Sequence, residues 1–240
     1  MIFSTKGIVL HRFKYSDSKI ISKIYTEEFG LQAYLIFASD SKKGRLTKSL
    51  LQPMFLLEME VYHNETSKLQ KIKEISNHFP FSTIPFDIQK STVGLFLAEF
   101  LIKILEENEP DEQFFEFLLN SITIFDSIKE NFQNFHLIFL LKMSKFLGIK
   151  PENNFAPEKS IFDLEAGRFI IGIPNHKYYA DQKLSLLLNK LLDADFESMQ
   201  TININNTERR SLLSIIIDYY TLHLGKPGQM KTLKVLRQIF

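Results

Sequence analysis

The hydrophobic pattern of the chain changes once, at "FPFSTIPFD" (79–87), which carries prolines at 80 and 85. Upstream of it, "KGIVLHRFKY" (6–15), "SKIISKIYTEE" (18–28), "LQAYLIFAS" (31–39), "MFLLEMEVYH" (54–63) and "LQKIKEISNHF" (69–79) are rich in Ile, Val, Tyr and Phe. Ser16-Asp17-Ser18, Gly30 and Asn64-Glu65 punctuate them, as turns between strands do. Phe55, Leu57, Met59 and Val61 alternate with Leu56, Glu58, Glu60 and Tyr62, the signature of a half-buried strand. Five short strands in this span suit a small closed barrel. The apolar segments alone fit an OB or an SH3-like barrel. The one long break, between the third and fourth segments, favours OB, which often carries a helix or extended loop there, and "SDSKKGRLTKSLLQP" (39–53) is read as a basic loop that Gly44 allows to bend.

Downstream, apolar residues recur at three- and four-residue intervals in "DIQKSTVGLFLAEFLIKILEEN" (87–108), "DEQFFEFLLNSITIFDSI" (111–128) and "NFQNFHLIFLLKMSKFLG" (131–148). Further helices are expected at 181–192, 206–225 and 230–240, the second ended by Gly225. Residues 151–180 are irregular, with "SIFDLEAGRFIIG" reading as a hairpin that turns at Ala166-Gly167. The expected fold class is α+β: a five-stranded OB-fold barrel over 1–80, then an all-α helical domain over 81–240 with the insertion at 151–180.

Chemistry is conspicuous by exclusion. With no cysteine, the chain has no disulfide, thiolate zinc site or cysteine nucleophile. It contains no P-loop, no Gly-x-Gly-x-x-Gly after a strand and no Gly-x-Ser-x-Gly elbow. Its six histidines are scattered, with no pair at metal-ligand spacing, and Glu106, Glu107, Glu109, Asp111 and Glu112 read as a solvated helix junction. Neither a signal peptide nor a membrane span is expected, since "TVGLFLAEFLIKIL" (92–105) is broken by Glu99 and Lys103. These readings point to a cytoplasmic protein that is not an enzyme and uses no cofactor or metal.

A net charge of +1 conceals a strong asymmetry: +4 over residues 1–80, −7 over 81–130 and +4 over 131–240. Local basic surface attracts polyanions whatever distant acids do. Arg12 and Lys14 alternate along the first strand; Lys23 and Tyr25 do so along the second, with Lys19 at its start. Lys42, Lys43, Arg45 and Lys48 complete a cluster of candidate DNA contacts. Cations beside aromatic rings are how single-strand binders follow phosphate and stack bases. Each residue alone also fits a solvated face, and Tyr25, Tyr34 and Phe37 each fit a barrel core.

The Lys-Gly-Ile-Val opening strand, "YSDSKIISKIYTEEFG", the basic stretch and "LLQPMFLLEMEVYH" together resemble the RecO family of recombination mediators, in the form found in the Bacteroidetes group. "FDLEAGRF" and the terminal "LKVLRQIF" extend the resemblance over nearly the whole chain. It implies a nucleoid-associated DNA repair protein that binds single- and double-stranded DNA and anneals complementary strands. With RecR it would help load RecA on strands coated by single-stranded DNA-binding protein. Many members carry a four-cysteine zinc motif that is missing at 151–180, so packing of Phe162, Leu164, Phe169 and Ile171 is expected to hold the hairpin instead. The resemblance also implies capture of the acidic, apolar tail of the single-stranded DNA-binding protein by the helical domain. Arg209, Arg210, Lys231, Lys234 and Arg237 are the candidate cationic rim, with Leu233, Leu236 and Phe240 facing inward. The remaining readings are a protein-binding scaffold built on the same barrel and a nuclease with a diffuse site.

Overall fold

The computed structural model describes residues 1–37, 41–105, 110–225 and 228–240, Lys43 through its backbone only. Two compact units divide the chain, Met1–Asp126 and Ser127–Phe240.

In the first unit, β1 (Ile2–Ser16), β2 (Lys19–Thr26), β3 (Gly30–Phe37), β4 (Leu56–Tyr62) and β5 (Gln70–Asn77) close a barrel in the order β1-β2-β3-β5-β4. The first half of β1 pairs antiparallel with β4, its second half with β2, and β3 meets β5 in parallel. This is the OB-fold connectivity. Gly7 sits where β1 passes from one partner to the other, opposite both Thr26 and Leu57. A Cβ there would lie 2.6 Å from Ile24 Cγ2 and from Met59 Cε, so any larger residue would have to displace both core side chains. Val9, Ile20, Ile24, Tyr34, Ile36, Leu57, Met59 and Val61 fill the interior. The alternation expected for β4 has one exception, because Leu56 is buried as well.

The basic stretch is not a loop. Residues Lys42–Leu50 form α1, whose N-cap Ser41 accepts a hydrogen bond from the Gly44 amide at 3.2 Å. Gly44 therefore lies inside a helix and makes no bend. Leu50 and Leu51, at the far end of α1, pack into the barrel core together with Phe55. The polar first turns of α1 thus ride on a helix that its last turn anchors.

After the barrel, α2 (Ile88–Ile104) starts at the N-cap Asp87, which accepts from the amides of Gln89 and Lys90; α3 (Glu112–Ser127) follows. Both pack within the first unit, except for the last residue of α3. Lys90, though charged, is buried on α2: its ammonium donates to Thr83 Oγ1 (2.6 Å), Phe125 O (2.8 Å) and Asp126 O (3.2 Å). The Asp126 carboxylate in turn accepts from the amides of Ser82, Thr83 and Ile84 and from the Ser82 hydroxyl. The segment that ends the β pattern is thereby tied to both helices. The acidic stretch Glu106, Glu107 and Glu109 lies outside the described residues.

In the second unit, α4 (Phe135–Met143) is shorter than the expected 131–148, and the helical spacing gives way to turns after Met143. A three-stranded sheet, β7-β6-β8, is built from β6 (Ile161–Asp163), β7 (Arg168–Ile170) and β8 (Tyr179–Ala180). Its hairpin turns through Gly167 at φ 66°, with Asp163 Oδ1 accepting from the Glu165 and Ala166 amides. Phe162, Leu164 and Phe169 are buried as expected, but Ile171 is 70 % exposed because β7 ends before it and Gly172 turns the chain away. Asn154 bonds Phe169 through both its N–H and C=O groups, and Ser185 Oγ accepts from the Phe162 amide. Helices α5 (Gln182–Asp193), α6 (Asn206–Leu224) and α7 (Lys231–Ile239) complete the unit. Because packing and these bonds hold the sheet, a strong metal chelator is expected to leave the urea midpoint unchanged; a chelator-induced drop would show a structural metal.

Candidate nucleic-acid interface

Strand register decides which cations share a surface. On β2, Ile20, Ser22 and Ile24 point into the barrel, so Lys19, Ile21 and Lys23 point out. Cross-strand pairing builds three rows on the outer face of β1-β2-β3: His11-Lys23-Ala33, Phe13-Ile21-Leu35 and Ser16-Lys19-Phe37. An apolar row is flanked by two lysine-bearing rows. Phe13, Tyr15 and Phe37 are 44 %, 63 % and 64 % exposed, and the Lys19 ammonium sits 5.3 Å from the Phe37 ring centroid.

Arg12 and Lys14 lie on the opposite face, paired with Ser22 and Ile20. There they line a groove of about 460 Å³ together with Asp17 and Lys48 of α1. Lys14 forms an exposed ion pair with Asp17 at 2.6 Å. The Arg12 guanidinium donates to the Lys48 carbonyl oxygen in the last turn of α1, an acceptor it shares with the Leu51 amide. Arg12 thus orients the helix that carries Lys42, Arg45 and Lys48. Lys42 and Arg45 are exposed and Lys48 half-buried; the Lys43 side chain lies outside the described residues.

Tyr25 leaves the set of candidate DNA contacts. It is buried, its ring 5.7 Å from Phe114 and 6.1 Å from Phe115, and burial pushes its hydroxyl pKa up to about 12. Helix α3 covers the part of the outer face where Tyr25 lies, which strand alternation could not reveal. Tyr34 is core as expected, whereas Phe37 is not, since it ends β3 on the uncovered part of the face. Phe13 and Tyr15 were missed among the ring candidates. The only sequence cue was the continuation of β1 past Leu10, all of it exposed from His11 to Ser16.

The barrel is electrically two-sided. Around β4 and β5, Glu58, Glu60 and Glu74 line a separate groove with Lys6 and Glu27. Glu58 faces Lys6, and Glu60 faces Glu74 across the ladder. Lys73 of β5 pairs with Glu60 there at 2.7 Å, so this side carries mixed charge with an acidic excess, whereas the β1-β2-β3 and α1 side is basic.

In the second unit, Lys231, Lys234 and Arg237 line a groove of about 340 Å³ with Met230 and Leu233. Leu236 and Phe240 are buried beneath it, and Arg210 is exposed. Arg209 does not belong to the rim. It is only 6 % exposed, and its guanidinium donates to Asn134 Oδ1 (3.0 Å), Asn206 Oδ1 (2.7 Å) and Ile204 O (2.7 Å). No cluster of three or more His, Cys, Asp or Glu suited to a metal is found among the described residues, nor any helix long and apolar enough to cross a membrane.

The architecture defines an OB-fold protein with a helical extension. Residues 1–81 match the family model described as Recombination protein O N terminal, and residues 85–233 match Recombination protein O C terminal. The chain is 35 % identical over 240 residues to the DNA repair protein RecO of Azobacteroides pseudotrichonymphae genomovar. CFP2, and 37 % identical over 241 residues to that of Bacteroides fragilis (strain YCH46). The alignments cover 100 % of this chain and of both relatives. The chain belongs to the RecO family of DNA repair proteins, in a form without cysteines.

Proposed function

We propose that this chain is a non-enzymatic recombination mediator of DNA repair, acting in the cytoplasm on the nucleoid. It binds single- and double-stranded DNA, anneals complementary strands and, with RecR, helps RecA load on strands coated by single-stranded DNA-binding protein. The observation that carries this reading is the juxtaposition of exposed rings and cations on β1-β2-β3, beside the cations of α1 and away from the acidic β4-β5 side. Rings stack bases without sequence preference, while lysines follow the phosphates. Annealing needs that combination and no covalent step.

The acidic, apolar tail of the single-stranded DNA-binding protein is proposed to dock in the α7 groove, where Lys231, Lys234 and Arg237 surround Met230 and Leu233. Arg210 is retained in this set and Arg209 is not. The reading is tested by mixing complementary strands, each coated with the cognate single-stranded DNA-binding protein, with the purified chain. Annealing without nucleotide and without strand cleavage is expected; cleavage, or an annealing rate equal to that without protein, would overturn it.

A further inference from the structure

The cations first grouped as one cluster occupy two faces of a single β-ribbon, and the two faces differ in chemistry. From His11 to Ile21, β1 and β2 run as an antiparallel pair through the turn at Asp17-Ser18. Its outer side carries Phe13 and Ile21, continued across β3 by Leu35 and Phe37 and bordered by Lys19 and Lys23. Its other side carries Lys14 over the groove that Lys48 also lines. The first surface has flat rings and sparse charge, which suits bases. The second gathers Arg12, Lys14 and Lys48 around one groove, with Asp17 paired to Lys14 and the Phe13 ring at its border, and this excess of cations suits a phosphate backbone. Successive residues of a strand point to opposite sides, so one segment of nucleic acid lying along the outer rows does not reach the Lys14 side chain.

We propose that the β1-β2 ribbon holds two nucleic-acid segments at once: a single strand stacked on Phe13 and Phe37, and a second segment held by its phosphates along Lys14 and Lys48. The proposal rests on the nucleic-acid reading of the barrel and adds the number and kind of segments bound. Two strands held either side of one thin ribbon are kept at high local concentration, as annealing requires. The stacked strand exposes its other base edges, and the phosphate-held segment leaves its bases unengaged. The acidic β4-β5 side confines both to this end of the barrel.

The test counts strands. Native mass spectrometry of the full chain with a short oligothymidylate in excess is expected to show two strands per chain. Phe13→Ala/Phe37→Ala should show one, with single-strand affinity reduced roughly tenfold to a hundredfold per lost ring and duplex affinity retained. Lys14→Ala/Lys48→Ala should also show one, now selective for single strands and with a shallower salt dependence. All four side chains are exposed or half-buried, so unchanged melting of the variants shows that folding is intact. One strand per chain in the unaltered protein overturns the two-segment proposal while leaving DNA binding intact. Loss of all binding in either variant points to one continuous site and also overturns it. If the Phe variant binds both strands normally, the aromatic face serves a protein partner and the proposal falls. Absence of any binding by the unaltered chain defeats the underlying nucleic-acid reading itself.

Discussion

Asp126→Ala is expected to destabilise the first unit by about 3–5 kcal/mol, the range for removing one member of a buried opposite-charge pair. The carboxylate is 1 % exposed and receives the amides of Ser82, Thr83 and Ile84 at 2.8, 2.9 and 2.8 Å. Burial alone would raise its pKa, but the amides of Ile84, Ser82 and Thr83 and the Ser82 hydroxyl outweigh this and leave it below the ordinary value. Lys90 shares Thr83 with it, and its own pKa is lowered by burial against the pull of Asp126 and Asp87. Alanine removes five hydrogen bonds to the carboxylate and leaves Lys90 without that nearby negative charge. Because the folded carboxyl pKa is depressed, its stabilisation is full above the unfolded value near 4 and is lost as pH falls through the folded value. Urea unfolding at pH 7 measures the effect. A variant that unfolds like the unaltered chain would show that packing, not this network, fixes the segment after the barrel.

Arg209→Met is expected to cost about 2–4 kcal/mol in the second unit, since Asn134 Oδ1 and Ile204 O lose a donor in a place water does not reach, and Asn206 loses a third contact nearer the surface. Its guanidinium joins the N-terminal turn of α6 to Asn134 at the start of α4 and lies 6.0 Å from the Phe240 ring. Burial lowers its pKa, partly countered by Glu208. Burial, and secondarily Arg209, pulls His136 down to about 3. That imidazole is neutral when folded yet protonates near 6.5 when unfolded. Its stabilisation is therefore complete above about pH 6.5 and falls by about 2 kcal/mol by pH 5. His136→Leu should flatten this part of the stability profile. An equal pH dependence with and without His136 would assign the acid sensitivity elsewhere.

These two networks show what sequence pattern conveyed and what it withheld. Strand and helix spacing located every barrel strand, because alternating and three-to-four-residue burial write themselves into residue type. The helical start at Lys42 escaped because a nine-residue helix with Gly44 near its start has no long apolar stripe; its identity depends on Ser41 and on Leu50 entering the core. Which cations meet was equally hidden. The register and bulges of β1 on β2 place Arg12 and Lys14 on one face and Lys19 and Lys23 on the other, and a one-residue slip would reverse that. Tyr25 and Arg209 carried the composition of contact residues, yet α3 covers the first and three acceptors hold the second. Charge clustering marked the end of the barrel where the exposed cations gather without distinguishing surface from interior.

The central claim, that the α1 and β1-β2-β3 side of the barrel binds nucleic acid through phosphate contacts, is tested most directly by oligothymidylate affinity as a function of salt. The measurement compares the unaltered chain with a Lys42→Ala/Lys43→Ala/Arg45→Ala/Lys48→Ala variant. Alanine favours helix, and Arg12 bonds the backbone oxygen of residue 48, so α1 is expected to persist and melting to change little. Log affinity of the unaltered chain should fall linearly with log salt, and four lost contacts at about 0.7 each would make the variant's slope shallower by as much as about 3. Binding without salt dependence, or a variant with the same affinity and slope as the unaltered chain, would contradict the account.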